Sequence, residues 1–303
     1  MVTYVKIFFL HSREEKVMKK KLLSVVMAMT LSASLMACGS SSAASSEDTT
    51  EAVAAESTDT AEADTAETDA AETSEITGAG VGTEGTLVMA TNAEFPPYEY
   101  HDGDSIVGID AEIAQAIADK MGVTLEIEDI AFDSIIPEVT SGKADMGMAG
   151  MTVTDERKQS VDFSDTYAEA AQVIIVTEDS DIASPDDLQG KIVGVQTGTT
   201  GDIYATDDYG DDNVERYNKG MEAVQALSQG KIDAVIIDRE PAKVYVQENE
   251  GLKILDENYT TEEYAIAVNK GNAELLANVN AALAELKADG TIDAIVAKYI
   301  TTD

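Results

Sequence analysis

Ser141-Gly142-Lys143-Ala144-Asp145 runs directly into Met146-Gly147-Met148-Ala149-Gly150, and later in the chain Gln229-Gly230-Lys231-Ile232-Asp233 runs into Ala234-Val235-Ile236-Ile237-Asp238. In each segment a glycine stands where a helix ends in a left-handed residue, and a short apolar run follows at once. Such a run, bounded this way, reads as a buried strand. Helix-glycine-strand joints are common in α/β proteins, but the repeated pattern suggests two lobes built to one plan. Each lobe would offer residues at the carboxyl end of a strand, where open α/β sheets receive ligands.

The same alternation extends outward from these two joints. Residues 87–90 form a short apolar strand, and Ile109, Ile113, Ile117 and Met121 recur every four residues, giving a helix with one apolar face that Gly122 can cap. Val123, Leu125 and Ile127 then alternate as a strand. Further strands are expected near 144–148, 172–177, 191–195, 233–237 and 263–268, with helices over 273–288 and 291–300. From Thr86 onward this is the pattern of an α/β fold with largely parallel sheets.

Composition narrows the function. The chain has 303 residues and is 44% hydrophobic, enough for real cores. Its 58 acidic and 20 basic residues give a formal charge of -38, which repels a phosphate backbone, so no nucleic acid is expected as a partner. Cys38 is the single cysteine, and the two histidines, His11 and His101, stand far apart without ligand-spaced companions. Neither a disulfide framework nor a thiolate or histidine metal centre can be assembled from these, and no cofactor is expected.

The first segment reads as an address. Met18-Lys19-Lys20-Lys21 opens a basic stretch, and residues 22–36 form an apolar run too short for a permanent membrane span. Residues 1–37 are therefore read as a signal peptide, with translation starting at Met18. Leu35-Met36-Ala37-Cys38-Gly39 resembles the lipobox of bacterial lipoproteins, in which the cysteine becomes the lipidated first residue; the alternative is an ordinary signal peptide with an incidental cysteine. Residues 38–84 then comprise the lipidated Cys38 and a linker dominated by Ala, Ser, Thr, Glu and Asp, too polar to offset chain entropy by burial and so expected to be disordered.

A family resemblance rests on an ordered set of motifs. These are Ala90-Thr91-Asn92-Ala93-Glu94-Phe95-Pro96-Pro97-Tyr98, then Gly108-Ile109-Asp110, then Ala149-Gly150-Met151-Thr152-Val153-Thr154-Asp155-Glu156-Arg157 with Val161-Asp162-Phe163-Ser164. From about Gly85 to Ile300 the chain resembles the family 3 solute-binding proteins, the polar amino acid receptors of ABC importers. The resemblance implies a type II periplasmic-binding-protein fold: two α/β lobes joined by a two-strand hinge, lobe 1 being 85–176 plus 266–303 and lobe 2 being 177–265. It implies a monomer, held by a lipid at Cys38 on the outer face of the cytoplasmic membrane, that delivers a free amino acid to permease subunits.

A buried amino acid loses the water around its carboxylate and ammonium, so each end needs a countercharge or several hydrogen bonds. Arg157 can grip the carboxylate as a planar fork, and Thr154 as N-cap would set it in a helical first turn. A surface salt bridge with Asp155 or Glu156 is its plainer use. By resemblance Gly150 lines the site, Thr152 and Thr200 add contacts to the carboxylate, and Asp238 receives the ammonium. As alternatives, Asp238 could cap the helix beginning at Arg239, and the turn around Thr200 could be only a loop. Phe95 and Phe132 match aromatic positions flanking the ligand side chain, although Phe132 could equally be core. Asn92 and Gln196 match positions that read its head group. Several basic-ligand receptors carry a carboxylate where Asn92 stands, and a neutral amide cannot balance a buried cation, so an uncharged polar ligand such as glutamine is favoured. Glu94 or Glu99 could supply the missing charge. A secreted dehydratase on the same fold, or a sensor module, are the rival functions; no histidine is expected in the cleft for acid-base work unless His101 approaches.

Overall fold

The computed structural model describes residues 75–300. The signal peptide, Cys38 and the linker as far as residue 74 lie outside the described residues, as do 301–303.

Among the described residues, three sheets organise the fold. The first has the order Thr124–Asp129, Thr86–Thr91, Met146–Gly147, Ala267–Asn269, Val161–Phe163. Its first three strands are parallel, and Ala267–Asn269 runs antiparallel to both of its neighbours, so Val161–Phe163 points the same way as the first three. The second has the order Val214–Tyr217, Val193–Gln196, Ala234–Asp238, Ala168–Thr177, Leu252–Ile254, with Thr260–Tyr264 also paired to Ala168–Thr177. Its first three strands are again parallel, and the long strand Ala168–Thr177 runs against them. A small antiparallel sheet of Glu94–Phe95, Glu99–Asp102 and Ser105–Val107 adjoins the first. Each main sheet is thus a parallel core with antiparallel strands added where the chain passes between them, less uniformly parallel than the alternation predicts.

The local chemistry explains the helices. Ile109–Met121 buries Ile109, Ile113, Ile117 and Met121 along one face, each contributing about 1.5–3 kcal/mol by leaving water. Gly122, at φ 70°, ends the helix, returning its N–H to the carbonyls of Ala118 and Asp119. Ala273–Ala288 starts at Asn272, whose side chain accepts from the Leu275 N–H, and buries Leu275, Val279, Leu283 and Leu286.

Sheet membership corrects the expected lobe boundary at 176. Ala168–Thr177 lies wholly in the second sheet, so the first crossing runs through 164–167 and the return through 265–266. The Ala-rich half of that strand carries no strong apolar signal and is fixed instead by pairing with Thr260–Tyr264. The single strand expected over 263–268 is correspondingly broken in two at the second crossing.

The linker reading is also corrected at its end. Ile76 and Val81 pack against the core, the Thr77 N–H donates to Asn278 Oδ1 at 2.9 Å, and the Gly82 N–H donates to Asp145 Oδ1 at 2.6 Å. Asn272 Nδ2 donates to the Gly80 carbonyl at 2.8 Å. The acidic repeat stops at Glu75; Ile76-Thr77-Gly78-Ala79-Gly80-Val81 has apolar anchors and small residues that let the backbone lie close to the helix Ala273–Ala288.

Candidate functional site

The residues singled out in the sequence stand at or just past the carboxyl ends of parallel strands. Thr86–Thr91 ends before Asn92, Met146–Gly147 leads to Gly150 and Thr152, Val193–Gln196 leads to Thr200, and Ala234–Asp238 ends at Asp238 itself. This is the edge at which open α/β sheets present ligand-binding groups.

Arg157 is buried, at 7% exposed, and opens a short 3-10 turn rather than an α-helix. The N-cap position of the turn is Glu156 rather than Thr154, but the Thr154 hydroxyl still accepts from the Arg157 N–H at 3.1 Å. The guanidinium spans the two lobes: Nη1 donates to the Thr152 carbonyl at 2.7 Å, and Nη2 to the Gly198 carbonyl at 3.1 Å. Its Cζ lies 5.3 Å from the centre of the Phe132 ring, so Phe132, half-buried, packs over this cation. No ion pair with Asp155 or Glu156 forms.

Asp238 precedes the helix Arg239–Glu248 but makes no capping bond to it. Its side chain turns inward instead: Oδ1 accepts from the Tyr264 hydroxyl and Oδ2 from Gln172 Nε2 at 2.7 Å. Burial, and then the charge of Glu262, push its pKa up to about 7. Thr200 opens the helix Thr200–Tyr209, capped by Thr199, and its hydroxyl donates to Glu262 Oε2 at 3.1 Å; the Thr152 hydroxyl donates to the same oxygen at 3.0 Å. Arg157, Thr152, Thr200 and Asp238 are thereby gathered into one hydrogen-bonded cluster.

A second group brings Asn92 and Gln196 together. Gln196 Nε2 donates to Asn92 Oδ1 at 2.9 Å, and Asn92 Nδ2 donates to the Ile130 carbonyl at 2.9 Å. Of the two acids that could have charged this end, Glu94 pairs with Lys219, whereas Glu99 is buried with no ion-pair partner among the described residues; nearby Asp129 pairs with His101. Phe95 stacks on Tyr98 with ring centres 6.0 Å apart. A Cβ at Gly150 would sit 3.0 Å from the Phe95 ring and 3.3 Å from that of Tyr264, and φ is +52°, so glycine is required there. The Gly150 N–H donates to Asp110 Oδ2 at 2.8 Å, as does the Tyr167 hydroxyl. Burial raises the pKa of Asp110 to about 6, and burial, followed by the Asp110 charge, holds that of Glu99 well above the usual carboxylate range.

Three members of the cluster went unread in the sequence. Gln172 is a polar residue inside the apolar run of Ala168–Thr177, and register sets it opposite Asp238. Glu262 and Tyr264 share one face of Thr260–Tyr264 by the two-residue period, a signal masked by the polar Thr-Thr-Glu-Glu stretch. Among the described residues, no group of three or more His, Cys, Asp or Glu is arranged to hold a metal ion.

Comparison with known proteins gives this arrangement a lineage. Residues 87–302 match the bacterial extracellular solute-binding proteins, family 3. The arginine-binding extracellular protein ArtP of Bacillus subtilis (strain 168) is 38% identical over 221 residues, covering 71% of this chain and 86% of that protein. A probable histidine-binding protein of Neisseria gonorrhoeae is 36% identical, covering 71% and 83%. Among solved structures, an ancestral arginine-binding protein bound to glutamine superposes with a TM-score of 0.69 at 45% identity, covering 73% of this chain and all of the other. With the family match spanning both sheets and the cleft between them, the chain belongs to the bacterial extracellular solute-binding proteins, family 3.

Proposed function

We propose that this chain is the extracytoplasmic receptor of an ABC importer: it closes its two lobes around one free amino acid and hands it to permease subunits. The observation that carries the proposal is the convergence of Arg157 from the first lobe and Asp238 from the second on one buried cluster linked through Thr152, Thr200, Gln172 and Glu262. A guanidinium fork suits the ligand's carboxylate and a buried acid suits its ammonium. Because the contacts come from both lobes, ligand binds the closed form better and shifts the population toward it. The names of the relatives, all binding proteins, favour capture over hydro-lyase chemistry. In this reading Cys38 carries the lipid that holds a monomer at the outer face of the membrane, and the acidic residues 40–74 are the tether.

The side chain of the ligand would point toward Asn92 and Gln196. Their neutral amides, with Glu94 and Asp129 already paired, favour an uncharged polar ligand such as glutamine. The competing reading is arginine, which the names of the B. subtilis protein and of the ancestral protein support. A thermal-shift screen of the twenty amino acids against protein refolded without co-bound ligand decides between them, since a ligand of the folded form raises its melting temperature. The proposal expects one polar amino acid to stand out; no shift with any of the twenty would overturn it.

A further inference from the structure

The cleft contains one more buried carboxylate than an amino acid's single ammonium needs. Glu262 is 8% exposed, and its Oε2 accepts from Thr152 and Thr200 and from Gln172 Nε2 at 3.1 Å. Its Oε1 is enclosed and meets no donor in hydrogen-bonding geometry among the described residues, the Tyr204 hydroxyl being the polar neighbour whose pKa burial and then Glu262 raise. The same Gln172 Nε2 that donates to Glu262 donates to Asp238, so two acids are held against one amide group.

Neither acid forms a direct salt bridge with the described residues. Among the described residues no lysine, arginine or histidine nitrogen lies within 4.0 Å of Asp238 or Glu262. Arg157, the one guanidinium in the cluster, spends both of its terminal nitrogens on the backbone carbonyls of Thr152 and Gly198. A buried carboxylate that lacks a cation is costly, and one with an unused oxygen can still accept a bond.

We propose that Glu262 is a second receiver of the ligand's ammonium, acting beside Asp238, and that it makes a free ammonium a requirement for binding. The proposal rests on the amino acid reading of the cleft. With both acids in the charged form that an ammonium requires, Arg157 set against Asp238 and Glu262 leaves the site with an excess of one negative charge. A zwitterion leaves that excess unchanged and brings three N–H donors to the acids. A deaminated acid carries one positive charge fewer than its parent amino acid and brings none of these donors. Glu262 therefore sets specificity, separating amino acids from the deaminated carboxylic acids of the same shape.

Calorimetry on the wild type and Glu262→Gln tests this, with L-glutamine and glutaramic acid as one pair of probes and L-arginine and 5-guanidinovaleric acid as the other. The glutamine side chain still accepts from Thr152 and Thr200. In the variant, the Kd of the amino acid that binds is expected to rise about thirtyfold or more, the loss typical of removing one side of a buried charge pair. The Kd of its deaminated partner is expected to stay the same or fall, so discrimination narrows. Equal weakening of both probes would make Glu262 a structural prop, and an unchanged or tighter amino acid would make it a competitor for the carboxylate site; either result overturns the proposal. Should Glu262→Gln not fold, Glu262→Ala gives the same comparison. A wild type that binds none of the twenty amino acids would remove the reading of the cleft itself and this inference with it, and that failure shows before any variant is made.

Discussion

Gln196 Nε2 donates to Asn92 Oδ1 at 2.9 Å, joining the carboxyl end of a strand in one lobe to the carboxyl end of a strand in the other. Both residues are more than nine-tenths buried, so the pair closes the far end of the cleft with neutral groups. A head group entering here meets these two amides.

Asn92→Asp should therefore change the preferred ligand. A buried carboxylate at this position attracts a cationic head group and leaves an uncharged one imperfectly paired. The arginine-to-glutamine affinity ratio is expected to rise about tenfold or more, a shift of about 1.4 kcal/mol, measured by calorimetry on both ligands. A ratio that does not move would mean the side chain of the ligand lies elsewhere.

Affinity should also depend on pH through Asp238. Burial and Glu262 hold its pKa near 7, far above the ordinary aspartate value, while an ammonium ligand requires the charged form. As pH falls below about 7 the charged fraction shrinks, and the Kd is expected to rise by up to about tenfold per pH unit, with proton release on binding. Asp238→Asn should flatten the profile between pH 5 and 8 while weakening binding throughout, which titrations at several pH values would show.

The Glu99 and Asp110 pair gives a stability signature of opposite sense to that of salt-bridged acids. Burial raises Asp110 to about 6, so between its unfolded value near 4 and about 6 the folded protein holds more protons than the unfolded chain. Stability from this residue is fully present below pH 4 and is lost as pH rises through 6. Its size is on the order of 2–3 kcal/mol. Denaturant melts of wild type and Asp110→Asn across pH 4–7 should show the wild type losing ground to the variant as pH rises.

Much of the fold was legible because its signals are local. The four-residue recurrence from Ile109 to Met121 and the glycine after it specify a helix and its end with no help from the rest of the chain. The helix over Ala273–Ala288 was equally plain. Boundaries set by pairing were not: Ala168 to Ala171 became strand because Thr260–Tyr264 lies beside it. The site divides in the same way. Asp238 announces itself as a charge directly after an apolar run and Arg157 by its place in an ordered motif, whereas Gln172 and Glu262 gain their roles only when register and the second crossing bring three strands together.

The two-ended grip is tested most directly by measuring amino acid binding to Arg157→Ala and Asp238→Asn by calorimetry, alongside the thermal transition of each unliganded variant. The account predicts that each substitution raises the Kd by about a hundredfold or more, since each strands one buried ligand charge, while both proteins still unfold cooperatively. Undiminished affinity in either variant would contradict it.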